Sequence, residues 1–301
     1  MGAAMASRTL SLRHGLALLA VLLCGQTWAA SVVDDRGRTV EIPAVPQRVV
    51  SLLPSLTETV CALQACQRLV GTDRFSDWPA SVRSLPKLGG LEDTQIERLV
   101  ALKPDLVLAA GSSRAIDRLE ALGLRVVALE PKNLQDTERV IQQIALALGD
   151  AAAGPALWQR MQARIDAAAA RVPASLRRQK VYFEVASAPY AAGESSFVGE
   201  TLTRLGMGNV VPAALGPFPK LNPEFVVRAQ PDIIIGSVRA VAEMPLRPGW
   251  AVLRALREQR HCGFASEPWN ALVRPGPRLA EAAELLADCL VSLDRPAHPK
   301  N

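Results

Sequence analysis

The chain has 301 residues, 49% of them apolar and only 4% aromatic, and Lys plus Arg outnumber Asp plus Glu by 34 to 29. That mild excess, with no basic run interleaved with aromatics, argues against a nucleic-acid surface. Beyond the start of the chain no second long apolar stretch occurs, which argues for a soluble mature protein.

In chain order, the first segment reads as an address. Arg8, Arg13 and His14 precede an apolar run from Gly15 to Gly25, and small residues follow around Thr27 to Ala30. This is the composition of a secretory signal peptide, and the run is too short to span a bilayer. Cleavage is expected after Ala29, giving a leader of residues 1–29 and an exported protein. Cys24 offers a lipidation alternative, against which stands the bulky Leu23. Losing Arg8 and Arg13 and no acid takes the formal charge from +5 to +3. Roughly 270 remaining residues suffice for two domains of ordinary size.

Short apolar runs then alternate with amphipathic stretches, the mark of an α/β fold. Strands are expected at Arg48–Leu53, Leu106–Ala110 and Val126–Leu129, with Leu69–Thr72 as a further short apolar run. Helices are expected near Thr94–Leu102, Ser113–Leu122 and Leu134–Leu148. Pro54 and Ser55 open another helix, with Ser55 and Glu58 at the spacing of a capping box. The alanine-rich stretch from Ala151 to Arg171 carries Leu157, Met161 and Ile165 on one face. It reads as a long helix, a rod of roughly 27 Å at 1.5 Å per residue, able to join two lobes. Past Pro173 the alternation resumes. Strands are expected at Lys180–Val185, Ile233–Gly236 and His261–Ala265, and helices at Phe197–Leu205, Pro223–Ala229, Trp250–Glu258 and Pro277–Leu293. The organisation is a lobe at 30–150, a connecting helix at 151–177 and a second lobe at 178–297.

An internal echo supports two related lobes. Glu97-Arg-Leu-Val-Ala-Leu-Lys-Pro-Asp-Leu-Val-Leu-Ala recurs, 127 residues later, as Glu224-Phe-Val-Val-Arg-Ala-Gln-Pro-Asp-Ile-Ile-Ile-Gly. Each copy is a helix end, a Pro-Asp bend and a β-branched or leucine-rich strand. The symmetric Glu97 and Glu224 suit docking onto a two-fold partner bearing arginines.

Four cysteines follow the leader: Cys61, Cys66, Cys262 and Cys289. Three pairings are possible, and an even number in an oxidising compartment favours disulfides. Proximity favours Cys61–Cys66, leaving Cys262–Cys289. Of three histidines only His261 falls inside the fold, so a histidine metal cluster and histidine-based catalysis find little support, and no dinucleotide or phosphate loop is present. No catalytic residue and no resident metal or covalent cofactor is expected. An exported hydrolase using Asp73, Asp77, Glu194 or Glu267 is the distant alternative. The aromatics Phe75, Trp78, Tyr190, Phe218 and Trp269 follow strands in loops, where a ligand crevice forms in open α/β sheets.

The sequence Arg48-Val-Val-Ser-Leu-Leu-Pro-Ser-Leu-Thr-Glu58, followed by Leu69-Val-Gly71, Phe75-Ser-Asp-Trp-Pro79 and the Glu97 unit, resembles the periplasmic substrate-binding proteins of ABC importers. These carry cobalamin, haem or iron–siderophore complexes, and the resemblance extends through Gly193-Glu-Ser-Ser-Phe197, Gly206-Met-Gly-Asn-Val210 and Arg274-Pro-Gly-Pro-Arg278. It is nearest to the cobalamin-binding branch. The resemblance implies two Rossmann-like lobes joined by one backbone helix, of the class III type, acting as a monomer. It further implies a corrinoid held between the lobes, with haem or a ferric siderophore as the alternative. Phe75, Tyr190 and Phe218 would line the cleft, with Trp269 nearby. Leu88 would form a wall where the branch carries an aromatic, and Ala110 likewise stands at an aromatic position. Glu97 and Glu224 would engage arginines of the permease dimer.

Overall fold

The computed structural model describes residues 30–187 and 189–294, so the leader and the proposed cleavage site lie outside the described residues. The chain forms two α/β lobes, each built on a small, mainly parallel sheet. The first lobe opens with an antiparallel hairpin, β1 (Ala30–Val33) and β2 (Thr39–Ile42), which the sequence reading had not anticipated. There follow β3 (Val49–Ser51), α1 (Pro54–Ala62), β4 (Leu69–Thr72), α2 (Ile96–Ala101), β5 (Leu106–Ala109), α3 (Ile116–Ala121), β6 (Val126–Ala128) and α4 (Leu134–Ala147). Strand order is β4-β3-β5-β6, all parallel. Every residue of β5 is buried, which is why it reads as an unbroken apolar run instead of an alternation.

The long helix is α5 (Ala153–Arg171), with Gly154, Leu157, Met161, Ile165 and Ala168 buried. It is a shared wall more than a free strut. Gly154 lets α5 approach α4 closely: a Cβ there would lie 2.9 Å from the Gln142 Cα. Met161 and Ile165 join the second lobe's core, and Arg164 grips Glu284 with two hydrogen bonds of 2.9 and 2.8 Å.

The second lobe runs β7 (Lys180–Ala186), β8 (Tyr190–Ala191), α6 (Phe197–Arg204), β9 (Gly208–Asn209), α7 (Pro223–Ala229), β10 (Ile233–Ser237), α8 (Val238–Glu243), α9 (Arg254–Arg257), β11 (His261–Phe264), α10 (Ser266–Leu272) and α11 (Leu279–Asp294). The parallel path is β11-β10-β7-β9, with β8 added antiparallel to β7. This repeats the first lobe's order, with β7 in the place of β3 and β10 in the place of β5.

The echo in the sequence is an echo in backbone geometry. Ahead of each Pro-Asp, Lys103 (φ 46°) and Gln230 (φ 45°) end their helices in the left-handed region. The Asp105 carboxylate then accepts the Arg48 N–H at 2.9 Å, and the Asp105 N–H donates to the Arg48 carbonyl at 2.8 Å. Asp232 does the same with Lys180, both bonds at 2.8 Å. Each aspartate thus ties its own strand to the start of the neighbouring strand, which explains why Pro-Asp is kept in both halves.

Two expectations need correction. Ser55 and Glu58 form no capping box, because Pro54 occupies the first helical position and Leu53 becomes the N-cap, without a side-chain cap. Ser55 is therefore one residue too deep, and Glu58 is drawn off to Arg274. The Trp250–Glu258 helix is broken: a single turn at Trp250–Val252 precedes α9, with Leu253 extended between them. Both expected disulfides are formed. Cys61–Cys66 fastens the end of α1, and Cys262–Cys289 ties β11 to α11 across 27 positions of sequence.

Candidate ligand cleft

A cavity of 610 Å³ opens between the lobes. The first lobe contributes Leu53, just past β3, and Glu130, Pro131 and Lys132, just past β6. The second contributes Val185 near the end of β7, Phe197 at the start of α6, the loop from Leu215 to Pro219, and Val273 and Pro275. Leu53 and the Glu130–Lys132 segment follow the carboxyl ends of parallel strands, where open α/β sheets leave a crevice. The walls are apolar and proline-rich, and only Glu130 and Lys132 bring charge. Proline walls hold their shape without losing side-chain freedom when a ligand enters.

Of the residues singled out from sequence, Phe218 lines this cavity and packs on Phe197, ring centroids 5.6 Å apart. Tyr190, 40% exposed, sits on β8, which hydrogen-bonds along the Phe218 loop through Ala191 N–H to the Pro219 carbonyl at 3.1 Å. Phe75, 60% exposed, follows β4, and its N–H donates to the Asp73 carboxylate at 2.7 Å. Trp269 departs from the expected loop position. It lies in α10, stacked on Phe183 with centroids 5.3 Å apart, and borders a smaller cavity of 350 Å³ that shares Val185 with the cleft. Its indole face is thus partly spent on the second lobe's core.

Leu88 is not a cleft wall. It is fully buried in the first lobe's core with Val50, Leu99 and Val107, and it fills the space beside Gly71, where a Cβ would come within 2.9 Å of it. Leu88→Ala is expected to cost about 2–5 kcal/mol of stability, the usual cost of emptying a leucine-sized core site. Denaturant unfolding reads that loss, and ligand affinity measured on the folded fraction stays unchanged.

Residues that the sequence reading named for other reasons, or not at all, meet at the lobe junction. Arg274 is almost buried and donates from Nη1 to Glu58 Oε1 and Asp77 Oδ1, both at 2.8 Å, and from Nη2 to the Phe75 carbonyl at 3.0 Å. Burial raises the Glu58 carboxyl to about 7, against the opposing pull of Arg274. Its second oxygen has no hydrogen-bond partner among the described residues. Beneath the Phe75 loop, burial also raises Asp73, although Ser76 and the Phe75 N–H donate to it. Lys87, lowered by burial, donates to Thr72 Oγ1 and to the Ser76 and Val82 carbonyls. The signal for these residues was present in Arg274–Arg278 and Phe75–Pro79, but nothing local to either segment shows that they meet.

The carboxylates of the hydrolase alternative are each engaged by another group. Asp73 faces Ser76, Asp77 and Glu267 face Arg274 and Arg278, and Glu194 accepts the Ala213 N–H at 3.1 Å. Glu97 and Glu224 each occupy the second position of a helix, exposed, on equivalent units of the two lobes. They differ in company. Glu97 pairs with Arg118 at 3.0 Å, whereas Glu224 makes no ion pair among the described residues.

Two lobes, a connecting helix and a cleft between them define a class: binding proteins that take a small solute between two halves. The periplasmic binding protein family model matches residues 49–262, and the chain belongs to that family. It is 27% identical over 277 residues to an uncharacterized ABC transporter substrate-binding lipoprotein, YvrC, of Bacillus subtilis (strain 168), covering 88% of this chain and 86% of that protein. It is 25% identical over 263 residues to a vitamin B12-binding protein of Vibrio vulnificus (strain YJ016), covering 85% and 95%. Among solved structures, the apo periplasmic heme-binding protein RhuT of Roseiflexus sp. RS-1 superposes with a TM-score of 0.71 at 25% identity, over 83% of this chain and 99% of that one. These similar proteins are named for ABC-transporter substrate, vitamin B12 or heme binding. Members of this family are transport proteins.

Proposed function

We propose that this protein captures a corrinoid of the cobalamin type in the cleft between its lobes and delivers it to the permease of an ABC importer. The observation that carries this reading is the 610 Å³ inter-lobe cavity, apolar and proline-walled, with a single acid–base pair of side chains, Glu130 and Lys132, at its edge. A large, rigid ligand with an apolar face and polar amide arms fits such walls: the face is desolvated against Phe218 and the prolines, and the arms meet the two charges. The vitamin B12-binding relative supports the same ligand class. The mature protein at tens of micromolar, titrated calorimetrically with cyanocobalamin, is expected to give a saturable heat. No heat at that concentration removes cobalamin.

If Phe218 stacks on the ligand, Phe218→Ala weakens binding by about 1–3 kcal/mol, roughly 5- to 150-fold. Unchanged affinity assigns Phe218 to capping the core beside Phe197.

A second reading, haem, has one observation behind it. The Tyr190 phenol is exposed and has no hydrogen-bond partner among the described residues, so it is available to ligate iron. Haemin added to the apoprotein would then give a tyrosinate-type absorption spectrum that Tyr190→Phe abolishes.

A further inference from the structure

A second cavity, of 750 Å³, adjoins the ligand cleft on the first lobe. The two share Glu130 and Lys132, which stand between them. It opens past the carboxyl ends of β5 and β6, between the β1–β2 turn and α4. Its character reverses that of the cleft, with charged residues in place of proline walls. The turn is firmly held. The buried Asp34 carboxylate accepts the Arg36 and Arg38 N–H groups at 2.9 and 3.0 Å. Asp35 is tied to the β6 segment twice: its N–H donates to the Ala128 carbonyl at 2.8 Å, and its carboxylate accepts the Glu130 N–H at 2.7 Å.

Each carboxylate lining this cavity is already engaged. Asp34 pairs with Arg36 at 2.7 Å, and Arg139 is spent on Asp35 and Asp136. The two Glu130 oxygens accept the Ser112 N–H at 2.8 Å and its hydroxyl at 3.0 Å. The cationic donors are not used up. The exposed Lys132 ammonium makes no hydrogen bond or ion pair among the described residues, and Arg36 Nη1 is buried without a partner among them. Gln143 Oε1 is an acceptor in the same condition. Buried polar atoms left unpaired are uncommon in folded proteins, and here two belong to residues of one cavity wall.

We infer that this cavity is a second compartment of the ligand site, taking an anionic, oxygen-rich arm of the molecule whose apolar body fills the cleft, with Lys132 as the residue that meets the arm. The argument is one of desolvation. A charged arm kept between proline walls would lose water and gain nothing, which is costly. One step past Lys132 it finds an ammonium with three free donors and walls whose acids are already neutralised. Those walls are set before the arm arrives, so little order is lost on binding. The choice of ligand rests on the reading proposed above. For a corrinoid the arm is the one that carries the nucleotide and its phosphodiester; for haem it is a propionate.

The test is a ratio of affinities, measured by calorimetry on the whole mature protein. Cyanocobalamin is compared with cobinamide, which keeps the corrin ring and lacks the nucleotide arm. The parent is expected to favour cyanocobalamin by at least about tenfold. Gly111 lines the second compartment and not the cleft, and a Cβ there meets only Glu130 Oε2, at an ordinary 3.6 Å. Gly111→Leu therefore obstructs the compartment, and it should bring the ratio to within about twofold of one by weakening cyanocobalamin. Lys132→Met, an exposed change that spares the fold, should narrow the ratio at least about threefold, and Lys132→Arg should keep it. Equal affinities in the parent, or a ratio that Gly111→Leu and Lys132→Met both leave unchanged, overturn the second compartment while the corrinoid reading stands. If neither corrinoid binds, the corrinoid reading fails, and haemin against its dimethyl ester decides the compartment by the same ratio in the same variants. Equal affinities for that pair as well, or binding of none of the four, overturns the inference.

Discussion

In cells that depend on this protein for corrinoid uptake, Glu97→Ala combined with Glu224→Ala is expected to bring uptake down to background while ligand affinity stays within about twofold. Both carboxylates are exposed in the free protein, at the second position of α2 and α7. In our reading each is buried against an arginine on docking. Losing one partner of such a pair costs about 2–5 kcal/mol, so losing both removes most of a moderate affinity. The singles should be unequal. Glu97 must first leave Arg118, whereas Glu224 has no competing ion pair among the described residues; Glu224→Ala should therefore be the more damaging. Transport assays beside calorimetry on the purified variants decide this. Full uptake in the double variant would sink the docking role.

The second large effect is a pH dependence seated at Glu58. Burial raises its carboxyl from an ordinary 4.5 to about 7 in the fold. Between those values the folded protein holds a proton that the unfolded chain has released, so stability falls as pH rises from about 4.5 to about 7. The full swing is of order 3 kcal/mol. Glu58→Gln cannot ionise, so its stability should lack this pH-dependent component. The measurement is the difference between the two unfolding free energies from pH 4 to pH 8, which isolates Glu58 from every other titrating group. A difference that does not change with pH contradicts the buried, proton-holding carboxyl.

Much of the fold was legible because parallel strands and their helices impose strong periodicities. Buried strands such as Leu106–Ala109 and Ile233–Gly236 announce themselves as unbroken apolar runs, and the face of Leu157, Met161 and Ile165 marks the connecting helix. The duplicated unit was legible too, since Pro-Asp does the same hydrogen-bonding work twice. Elements without such a pattern were missed. The β1–β2 hairpin is only four residues a strand, and β8 and β9 are two-residue additions that exist because β7 offers an edge. Trp269 reads as a loop aromatic until Phe183 is found beneath it. Leu88 reads as a wall until the core closes over it. The junction was illegible for a deeper reason. Arg274 and Glu58 are 216 residues apart in sequence, and the packing of α11 and α4 on α5, with bonds such as Leu134 N–H to Glu200, brings their lobes together.

The most direct test of the account is a crystal structure of the mature protein grown with cyanocobalamin. The account predicts a corrinoid between the lobes, one face on Phe218 and its polar arms near Glu130 and Lys132, with Glu97 and Glu224 left exposed on the same side of the molecule. An unoccupied cleft, or a corrinoid bound on the outer surface of a single lobe, would contradict it.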